Sequence, residues 1–405
     1  MIRLLNIIGA RPQIIKAAAI SRAIRTRFAG EVEEHILHTG QHYDANMSEV
    51  FFRELGIPEP DYNLHVGSGT HAVQTAKIME GIEGILWREC SVQCTGYGVQ
   101  DKPYDGIIVY GDTNSTLAAA VAASKIHVPV FHVEAGLRSF NMSMPEEINR
   151  IVCDQLSSVL FTPTLTGLKN LQAEGFPVGD GVQGKVYGVR KFADGRGQRV
   201  VLSGDVMYDN SMYFSAMADK QSDIIERMGL SYRNFVLATI HRPANTDNPE
   251  NLKTILRALS DIAEQHQMEV VLPLHPRTRQ RLESLTPNPF PEGQGRMSRR
   301  IKIIEPASFF EIIRLEKNAA IVMTDSGGVQ KEAFFYGTPC VILRPETEWV
   351  EIVEAGAGII ADADYDRIMV AYEQLVNKPV TFPALFGDGH ASEKIIEEIL
   401  DYLNV

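Results

Sequence analysis

Short apolar runs without polar alternation recur along the chain, and stretches with the apolar spacing of a helix follow most of them. The first such run covers residues 4–8 and ends at Gly9. An apolar run of this length without alternation is typical of a strand in a parallel sheet that helices cover on both faces. Because this alternation of strand and helix continues through most of the sequence, it predicts an α/β fold built from doubly wound parallel sheets.

A glycine-rich segment at residues 176–198 interrupts the alternation, which then starts again. A chain of 405 residues is too long for one hydrophobic core, so two domains with a cleft between them are expected. We predict a Rossmann-like domain at 1–175, a linker or surface hairpin at 176–198, and a second Rossmann-like domain at 199–385. A final amphipathic helix within 386–405 is expected to cross back to the first domain.

Composition and charge disfavour several classes of protein. The hydrophobic fraction of 44% and the charged fraction of 22% are ordinary for a soluble enzyme. The formal net charge of −12 argues against an extended nucleic-acid interface, although acidic proteins still bind phosphate groups locally. No apolar run reaches the roughly 18–20 residues that a membrane helix needs, and the N-terminus lacks the pattern of a signal peptide. We therefore expect a cytoplasmic protein without nucleic-acid or membrane partners.

The four cysteines are scattered along the chain: Cys90, Cys94, Cys153 and Cys340. Only the first two are close in sequence, and no second cysteine or histidine pair accompanies them at the spacing of a zinc site. Free thiols in a reducing compartment are therefore expected, and no metal site is predicted.

Acidic side chains occupy equivalent positions at the ends of neighbouring predicted strands. Asp112 and Glu134 each directly follow an apolar strand. Glu146 opens the next helix, and Arg150, four residues later, points from the same helical face. Ligands of open α/β sheets bind at the carboxyl ends of the strands, so these side chains are predicted to share one rim of the first sheet. Helix capping alone would explain Asp112 or Glu146, but it explains Glu134 poorly because no clear helix start follows it.

Positive and polar side chains are predicted at the same rim. Arg11 lies in the turn after the first strand and Lys16 lies about one helical turn beyond it. There they could hold a phosphate or a carboxylate, and the alternative is a pair of solvated helix residues. Gln41 and His42 lie in the turn after the next strand, which is rich in hydrogen-bonding groups.

The turn at Ser326, Gly327 and Gly328 is the strongest candidate for anion binding in the second half of the chain. Two glycines at a helix start let backbone N–H groups approach a phosphate, the serine adds a hydroxyl donor, and the helix dipole favours the anion. Glu332 follows on the same helix, where it could accept hydrogen bonds from ribose hydroxyls. Glycines are common at helix ends, so this turn alone is weak support.

Histidine and arginine residues directly follow two other predicted strands in the second half of the chain. His241 and Arg242 follow one strand, and His275 follows another. A buried structural role is the alternative for His275. Together with the Ser-Gly-Gly turn, these residues favour a nucleotide diphosphate site, and the carboxylates at the other rim then predict a sugar-nucleotide substrate. Neither a Walker A motif nor a strong dinucleotide fingerprint occurs, which disfavours kinases and dehydrogenases.

Eight short motifs occur in order over nearly the whole chain. They are Gly-Ala-Arg-Pro at 9–12 with Lys16, Thr-Gly-Gln-His at 39–42, Gly-Asp-Thr at 111–113, His-Val-Glu-Ala-Gly-Leu-Arg at 132–138, Pro-Glu-Glu-Ile-Asn-Arg at 145–150, His-Arg at 241–242, His-Pro at 275–276 and Thr-Asp-Ser-Gly-Gly-Val-Gln-Lys-Glu at 324–332. By this ordered set, the chain resembles the non-hydrolysing UDP-N-acetylglucosamine 2-epimerase family. The resemblance implies a glycosyltransferase-B-like fold. It also implies inversion at carbon 2 of the sugar, through elimination of UDP to a 2-acetamidoglycal and re-addition on the other face.

The resemblance also implies roles for the site residues. It assigns acid–base catalysis to three carboxylates, without indicating which of them takes the proton. The implied catalytic set is Asp112, Glu134, Glu146, His241, Arg11 and Lys16. The implied set for binding the substrate and UDP is Arg150, Arg242, His275, Ser326, Gly327, Gly328, Glu332, Gln41 and His42. No cofactor or metal is expected if these cations and dipoles stabilise the leaving UDP. The expected partners are a UDP-sugar and UDP, and the family resemblance implies a homodimer.

The chain departs from the common pattern of this family at one residue and in one short segment. Ala244 stands two residues after the His-Arg pair, where the family often has Glu, and Thr347-Glu348-Trp349-Val350 replaces Thr-Glu-Arg-Pro. Together with Gly-Asp-Val-Met-Tyr-Asp at 204–209, this pattern is more similar to the branch that acts on UDP-2,3-diacetamido-2,3-dideoxyglucuronate. The reaction class is unaffected, and the sugar stays open between that uronate and N-acetylglucosamine.

Three other functions fit parts of this pattern. A hydrolysing relative would release UDP and the free 2-epimer sugar, so UDP would accumulate with turnover. A glycosyltransferase of the same fold would need an acceptor and would leave the carboxylates unexplained. A catalytically silent sensor of sugar nucleotides is disfavoured because Asp112, Glu134 and Glu146 are all present.

Overall fold

The computed structural model describes most of the chain, in two compact units. The described ranges are 1–41, 56–88, 103–178, 186–191, 197–274, 278–279 and 297–404. The first unit contains Met1–Asn210 and Leu385–Val405, and the second contains Ser211–Ala384. Two predicted site residues, His42 and His275, lie outside the described ranges.

The first unit contains an eight-stranded sheet. Its strands are β1 (Ile2–Ile8), β2 (Val32–His38), β3 (Tyr62–Asn63), β4 (Gly106–Tyr110), β5 (Val130–Val133), β6 (Val159–Thr162), β7 (Val186–Lys191) and β8 (Gly197–Leu202). They lie in the order β3-β2-β1-β4-β5-β6-β8-β7, and every neighbouring pair is parallel except β7 and β8. The helices are α1 (Arg11–Arg27), α2 (His71–Arg88), α3 (Asn114–Lys125), α4 (Pro145–Leu156), α5 (Leu165–Ala173) and the C-terminal α14 (Ala391–Leu403).

The second unit contains a parallel six-stranded sheet. The chain enters this unit within α6 (Val206–Gln221). The strands are β9 (Phe235–Thr239), β10 (Glu269–Pro273), β11 (Ile301–Ile304), β12 (Ile321–Thr324), β13 (Cys340–Ile342) and β14 (Gly358–Ile360). Their order is β11-β10-β9-β12-β13-β14. The helices are α7 (Ile224–Arg227), α8 (Pro243–Thr246), α9 (Pro249–Gln265), α10 (Phe309–Asn318), α11 (Gly327–Phe335), α12 (Val350–Glu354) and α13 (Tyr365–Asn377).

Each unit is a doubly wound α/β domain, which confirms the predicted fold class. All five residues of the central strands β4 and β9 are buried, as expected for strands with helices on both faces. Helix α9 begins where the Asn248 side chain accepts hydrogen bonds from the N–H groups of Glu250 and Asn251. Its apolar side chains pack in the core of the second sheet. Cys153 and Cys340 are buried free thiols, and the other two cysteines lie outside the described ranges.

The division between the units differs from the predicted boundary at 176–198. Strand β8 pairs in parallel with β6, with Val200 opposite Leu160, so it belongs to the first sheet. Strand β7 then pairs antiparallel with β8 at the edge of that sheet. The open edge of β6 offers backbone hydrogen bonds that β8 satisfies. The described part of the glycine-rich segment therefore extends the first sheet as a hairpin, and the second unit begins at Ser211 rather than at residue 199.

The C-terminal helix α14 lies in the first unit, where it packs against α1. The Asp209 carboxylate accepts hydrogen bonds from the N–H groups of Ala391 at 3.0 Å and Ser392 at 2.7 Å, at the start of α14. Arg27, at the end of α1, forms an ion pair with Glu397 at 2.6 Å. These contacts fix α14 to the start of α6 and to the end of α1.

Two glycines of the first unit separate the effect of backbone conformation from the effect of crowding. Gly136 has φ +79°, and a Cβ added there would lie 2.5 Å from the Gly167 carbonyl oxygen. Gly175 has φ +85°, and such a Cβ would have no neighbour within 4 Å. We expect Gly175→Ala to lower the free energy of unfolding by about 1 kcal/mol, from the left-handed backbone alone. Gly136→Ala should lower it by roughly 2 kcal/mol more, because overpacking adds to that effect.

Urea denaturation, monitored by circular dichroism, gives the free energy of unfolding of both variants and of the unaltered protein. Equal losses at the two positions would show that the close approach of Gly167 to Gly136 does not limit the side chain at position 136.

Candidate active site

The structure brings predicted residues of the first unit together at the carboxyl ends of β4 and β5. Lys16 forms an ion pair with Glu134, and the two side chains are only 11% and 9% exposed. Arg150 forms a second ion pair with Asp112. Each of these two predicted carboxylates thus contacts a predicted cation, and each pair joins parts of the chain that are far apart in sequence.

Gly111 lies beside the Lys16–Glu134 pair and needs to be a glycine. Its φ is +61°, a conformation that disfavours side chains. A Cβ at this position would lie 3.1 Å from Glu134 Oε2 and 3.3 Å from Lys16 Nζ. The turn that carries Asp112 therefore lies directly against the other carboxylate.

Three other predicted residues of this rim have different surroundings. Glu146 lies in the first turn of α4, Arg11 is the first residue of α1, and both are exposed. The Gln41 amide oxygen accepts hydrogen bonds from the Ser115 N–H at 3.1 Å and the Ser115 hydroxyl at 2.7 Å. Gln41 thus links the turn after β2 to the first turn of α3.

The pKa of Asp112 lies above its usual value. Burial is the main cause, and the nearby negative charges of Glu134 and Glu146 add to the increase. The positive charges of Arg150 and Lys16 lower the pKa of Asp112 in opposition. The carboxyl group therefore gains and loses a proton closer to neutral pH than an ordinary aspartate does, as acid–base chemistry requires.

Glu134 adopts a backbone conformation that is rare outside glycine, with φ +72°. Such a conformation costs about 1–2 kcal/mol. It is held because the N–H groups of Glu134 and Ala135 both donate to the carbonyl oxygen of Phe161, at 3.1 and 3.0 Å. This turn directs the carboxylate toward Lys16 and is not evident from the sequence.

Polar residues that support this rim were not among the predicted site residues. Gln13 and Thr116 both donate to the carbonyl oxygen of Tyr110, at 3.0 and 2.6 Å. Asn149 donates to the carbonyl oxygen of Asp112 at 2.9 Å. Asn149 lies inside the Pro-Glu-Glu-Ile-Asn-Arg motif, so that motif was a signal for it.

In the second unit, the Ser-Gly-Gly turn begins a helix as predicted. The Ser326 hydroxyl accepts a hydrogen bond from the Val329 N–H at 3.5 Å, and Gly327 and Gly328 are the first residues of α11. Their backbone N–H groups lie in the first turn of the helix, where intrahelical acceptors are lacking. The predicted Glu332 lies on the same helix and is partly buried.

A buried aspartate positions the other predicted turn of this unit. Asp325 directly follows β12 and is fully buried. Its carboxylate accepts hydrogen bonds from the N–H groups of His241 and Arg242, at 3.0 and 3.1 Å, and from the Asn245 side chain at 3.0 Å. His241 and Arg242 themselves are exposed. Asp325 was not among the predicted site residues, although it directly follows an apolar strand.

An ion pair adjoins the start of α11 at the position where the chain departs from the family pattern. Arg344 donates two hydrogen bonds to Glu348, at 3.1 and 2.8 Å. A Cβ at Gly327 would lie 3.3 Å from Glu348 Oε2 and 3.6 Å from Trp349 Nε1. Burial alone would raise the pKa of Glu348, but the bonds and charge of Arg344 hold it below its usual value. Glu348 therefore stays ionised, and the pair contributes little net charge beside the helix start.

No three His, Cys, Asp or Glu side chains within the described ranges are arranged as a metal ion would require. Among the helices of those ranges, none is both long and apolar enough to cross a membrane.

The model of the family described as UDP-N-acetylglucosamine 2-epimerase matches residues 25–400. The chain is 44% identical, over 396 residues, to a Pseudomonas aeruginosa protein named UDP-2,3-diacetamido-2,3-dideoxy-D-glucuronate 2-epimerase. The alignment covers 98% of each of the two chains.

Several solved structures share the fold, and two of them serve as examples. One is Methanocaldococcus jannaschii UDP-GlcNAc 2-epimerase in complex with UDP-GlcNAc and UDP, with a TM-score of 0.77 and 38% identity; 99% of this chain and 100% of that one are covered. The other is a co-structure of S. aureus MnaA with UDP, with a TM-score of 0.78 and 27% identity; 100% and 97% are covered. These likenesses confirm the predicted glycosyltransferase-B-like class of two Rossmann-like domains.

The role of Asp325 can be tested by the loss of its charge at constant shape. We expect Asp325→Asn to lower the free energy of unfolding by about 2 kcal/mol, because an amide group then faces backbone donors that need an acceptor. The matched control is Asp364→Asn. Asp364 caps α13 by accepting from the Arg367 N–H at 2.9 Å, and asparagine caps helices equally well. Thermal and urea unfolding measure both, and equal stabilities of the two variants would contradict the role given to Asp325.

Proposed function

Because the chain belongs to the UDP-N-acetylglucosamine 2-epimerase family and is therefore an enzyme of the isomerase class, we propose that it inverts carbon 2 of a UDP-linked 2-acetamido sugar without net hydrolysis. The observation that carries the proposal is the pairing of Asp112 and Glu134 with one cation each at one sheet rim. Such a set can remove and return a proton at a carbon centre.

The proposed sugar is the 2,3-diacetamido uronate. The 44% identity to the Pseudomonas aeruginosa protein of that name supports this choice. So does the Thr-Glu-Trp-Val sequence at 347–350, whose Glu348 and Trp349 adjoin Gly327. UDP-N-acetylglucosamine is the alternative substrate, supported by the Methanocaldococcus jannaschii relative.

In the proposed elimination, a carboxylate takes the proton from carbon 2. The electrons of that bond form a double bond between carbons 1 and 2, and the bond from carbon 1 to the UDP oxygen breaks. A proton then returns to carbon 2 on the opposite face while UDP rejoins carbon 1. Asp112, Glu134 and Glu146 are proposed to supply these acids and bases, without a ranking among them. The raised pKa of Asp112 supports proton exchange near neutral pH.

The second unit is proposed to bind UDP. The N–H groups at the start of α11 and the Ser326 hydroxyl can hold the diphosphate, since helix starts favour anions. Glu332, on the same helix, is proposed to bind the ribose. Arg11 and His241, both exposed, are proposed to stabilise the charge that develops on the leaving UDP. The proposal of a homodimer rests on the family resemblance alone, and the cytoplasmic location stays a prediction from the sequence.

Proton NMR in deuterium oxide tests this function. We expect deuterium at carbon 2 and formation of the manno epimer, faster with the UDP-diacetamido uronate than with UDP-N-acetylglucosamine. Glu134→Gln should abolish both while UDP affinity stays within a few-fold, because Glu134 is not among the residues proposed to bind UDP. Glu31→Gln, an exposed acid of the first unit, is the matched control and should keep full turnover.

The other functions give different results in the same experiment. Free UDP and free sugar accumulating with turnover would identify a hydrolysing epimerase. Binding of UDP without exchange in either substrate would favour a transferase or a sensor. Near-normal turnover by Glu134→Gln would contradict the role given to Glu134.

The pH profile tests the ionisation of Asp112. We expect Arg150→Gln to move the acidic limb of kcat/KM to higher pH. Arg150 lowers the pKa of Asp112 against the effect of burial, so its removal raises that pKa and the base ionises only at higher pH. Lys169→Gln, an exposed charge on α5, should leave the limb in place. A limb that stays fixed in the Arg150 variant would mean that Asp112 is not the group that titrates.

A further inference from the structure

His132 lies in β5, fully buried behind the rim of carboxylates. Its ring Nδ1 is 2.7 Å from Asp154 Oδ1, and its ring Nε2 is 2.8 Å from the carbonyl oxygen of Gly111. Both partners are hydrogen-bond acceptors. A neutral imidazole carries only one N–H, so the lone pair of its unprotonated nitrogen would face an acceptor oxygen. Only the doubly protonated ring satisfies both contacts.

The charges around His132 balance when the ring is positive. Asp154 Oδ2 is 2.7 Å from an Arg138 Nη atom, and Arg138 in turn forms bonds of 2.6 and 2.7 Å with Glu174. The cluster then contains two positive and two negative groups. Burial alone would lower the pKa of His132, but Cys153 and Asp154 beside the ring outweigh it and raise the pKa to about 10. Asp154 has a lowered pKa, because His132 and Arg138 outweigh its burial.

The His132–Asp154 pair contacts each element that carries a proposed catalytic carboxylate. His132 bonds to Gly111, the residue before Asp112. Asp154 accepts from the Gly136 N–H at 3.2 Å, two residues after Glu134. Asp154 also lies on α4, eight residues, or two helical turns, after Glu146. One buried ion pair therefore joins the turn after β4, the turn after β5 and helix α4.

We propose that His132 is a positioning residue, kept as a buried imidazolium, that together with Asp154 fixes the relative positions of Asp112, Glu134 and Glu146. The catalytic part of this inference rests on the proposed function, whereas the protonation state of His132 stands on the geometry alone. His132 itself does not contact the substrate in this account. It acts through the backbone of the Gly111 turn.

A second buried histidine of the same unit gives an internal reference. His38 ends β2, and its Nδ1 accepts a hydrogen bond from the Gly40 N–H at 3.0 Å. That nitrogen therefore carries no proton, and the ring is neutral. Burial, with a contribution from His65, lowers the pKa of His38 to about 4. The two histidines are thus expected to have opposite protonation states at neutral pH.

The first test is ¹⁵N NMR of protein labelled at histidine, with His132→Gln and His38→Gln used to assign the ring-nitrogen signals of two of the 11 histidines. We expect both His132 nitrogens to show the protonated type of signal without change between pH 6 and 8.5. His38 should show one protonated and one unprotonated nitrogen over the same range. A His132 spectrum of the neutral type at pH 7 would overturn the inference.

The second test uses two substitutions, each of which keeps one of the two hydrogen bonds of the His132 ring. The longer amide of His132→Gln can still donate to Gly111, whereas the shorter amide of His132→Asn reaches only Asp154. We expect His132→Asn to lower kcat on the order of 10²-fold, since misplacing catalytic groups by about 1 Å has that effect. The UDP dissociation constant should stay within a few-fold, and His132→Gln should recover part of kcat. Wild-type kcat in a folded His132→Asn protein would overturn the positioning role.

The two proposals fail in distinguishable ways. An unaltered protein that epimerises neither substrate overturns the proposed function, whatever the His132 spectrum shows. An active enzyme with a neutral His132 overturns this inference and leaves the proposed function intact.

Discussion

Charged side chains at the end of a buried sheet need counter-charges, and this constraint organises the first unit. An unpaired buried charge is strongly destabilising. Glu134 forms an ion pair with Lys16, which joins the turn after β5 to α1. Asp112 forms an ion pair with Arg150, which joins the turn after β4 to α4. Because each pair forms only when distant segments have packed, the site and the tertiary structure depend on the same contacts. The groups proposed to move protons are therefore also groups that hold the unit together.

A buried aspartate supports the site-bearing turns in each unit. Asp154 accepts from the Gly136 N–H beside β5, and Asp325 accepts from the His241 N–H beside β9. A carboxylate can accept several hydrogen bonds at once, so a single side chain can hold a turn against a neighbouring element. The backbone of the exposed His241 is thus held by Asp325, which is itself fully buried. Rigid support of this kind suits a site in which small displacements are costly.

The pKa values of two acidic groups, one in each unit, are shifted in opposite directions. In the first, burial and neighbouring carboxylates raise the pKa of Asp112, which favours proton exchange. In the second, Arg344 holds the pKa of Glu348 down, so that group stays ionised and paired beside the start of α11. The difference follows from the charges and hydrogen bonds around each carboxylate, because burial raises the pKa of both groups. It matches the division proposed here, with proton transfer in the first unit and nucleotide binding in the second.

The amino-acid sequence is sufficient to predict the fold class, because apolar spacing within each strand and helix is a local property. It also placed Asp112 and Glu134 at strand ends and Ser326 at a helix start, since those positions follow from βα order. The tertiary structure was needed to show which charges pair, because the partners of Lys16 and Arg150 lie far away in sequence. It moved the domain boundary out of the glycine-rich segment, since β8 pairs with β6 through backbone groups that every sequence shares. The positive charge assigned to His132 likewise depends on acceptors that only folding brings to both ring nitrogens.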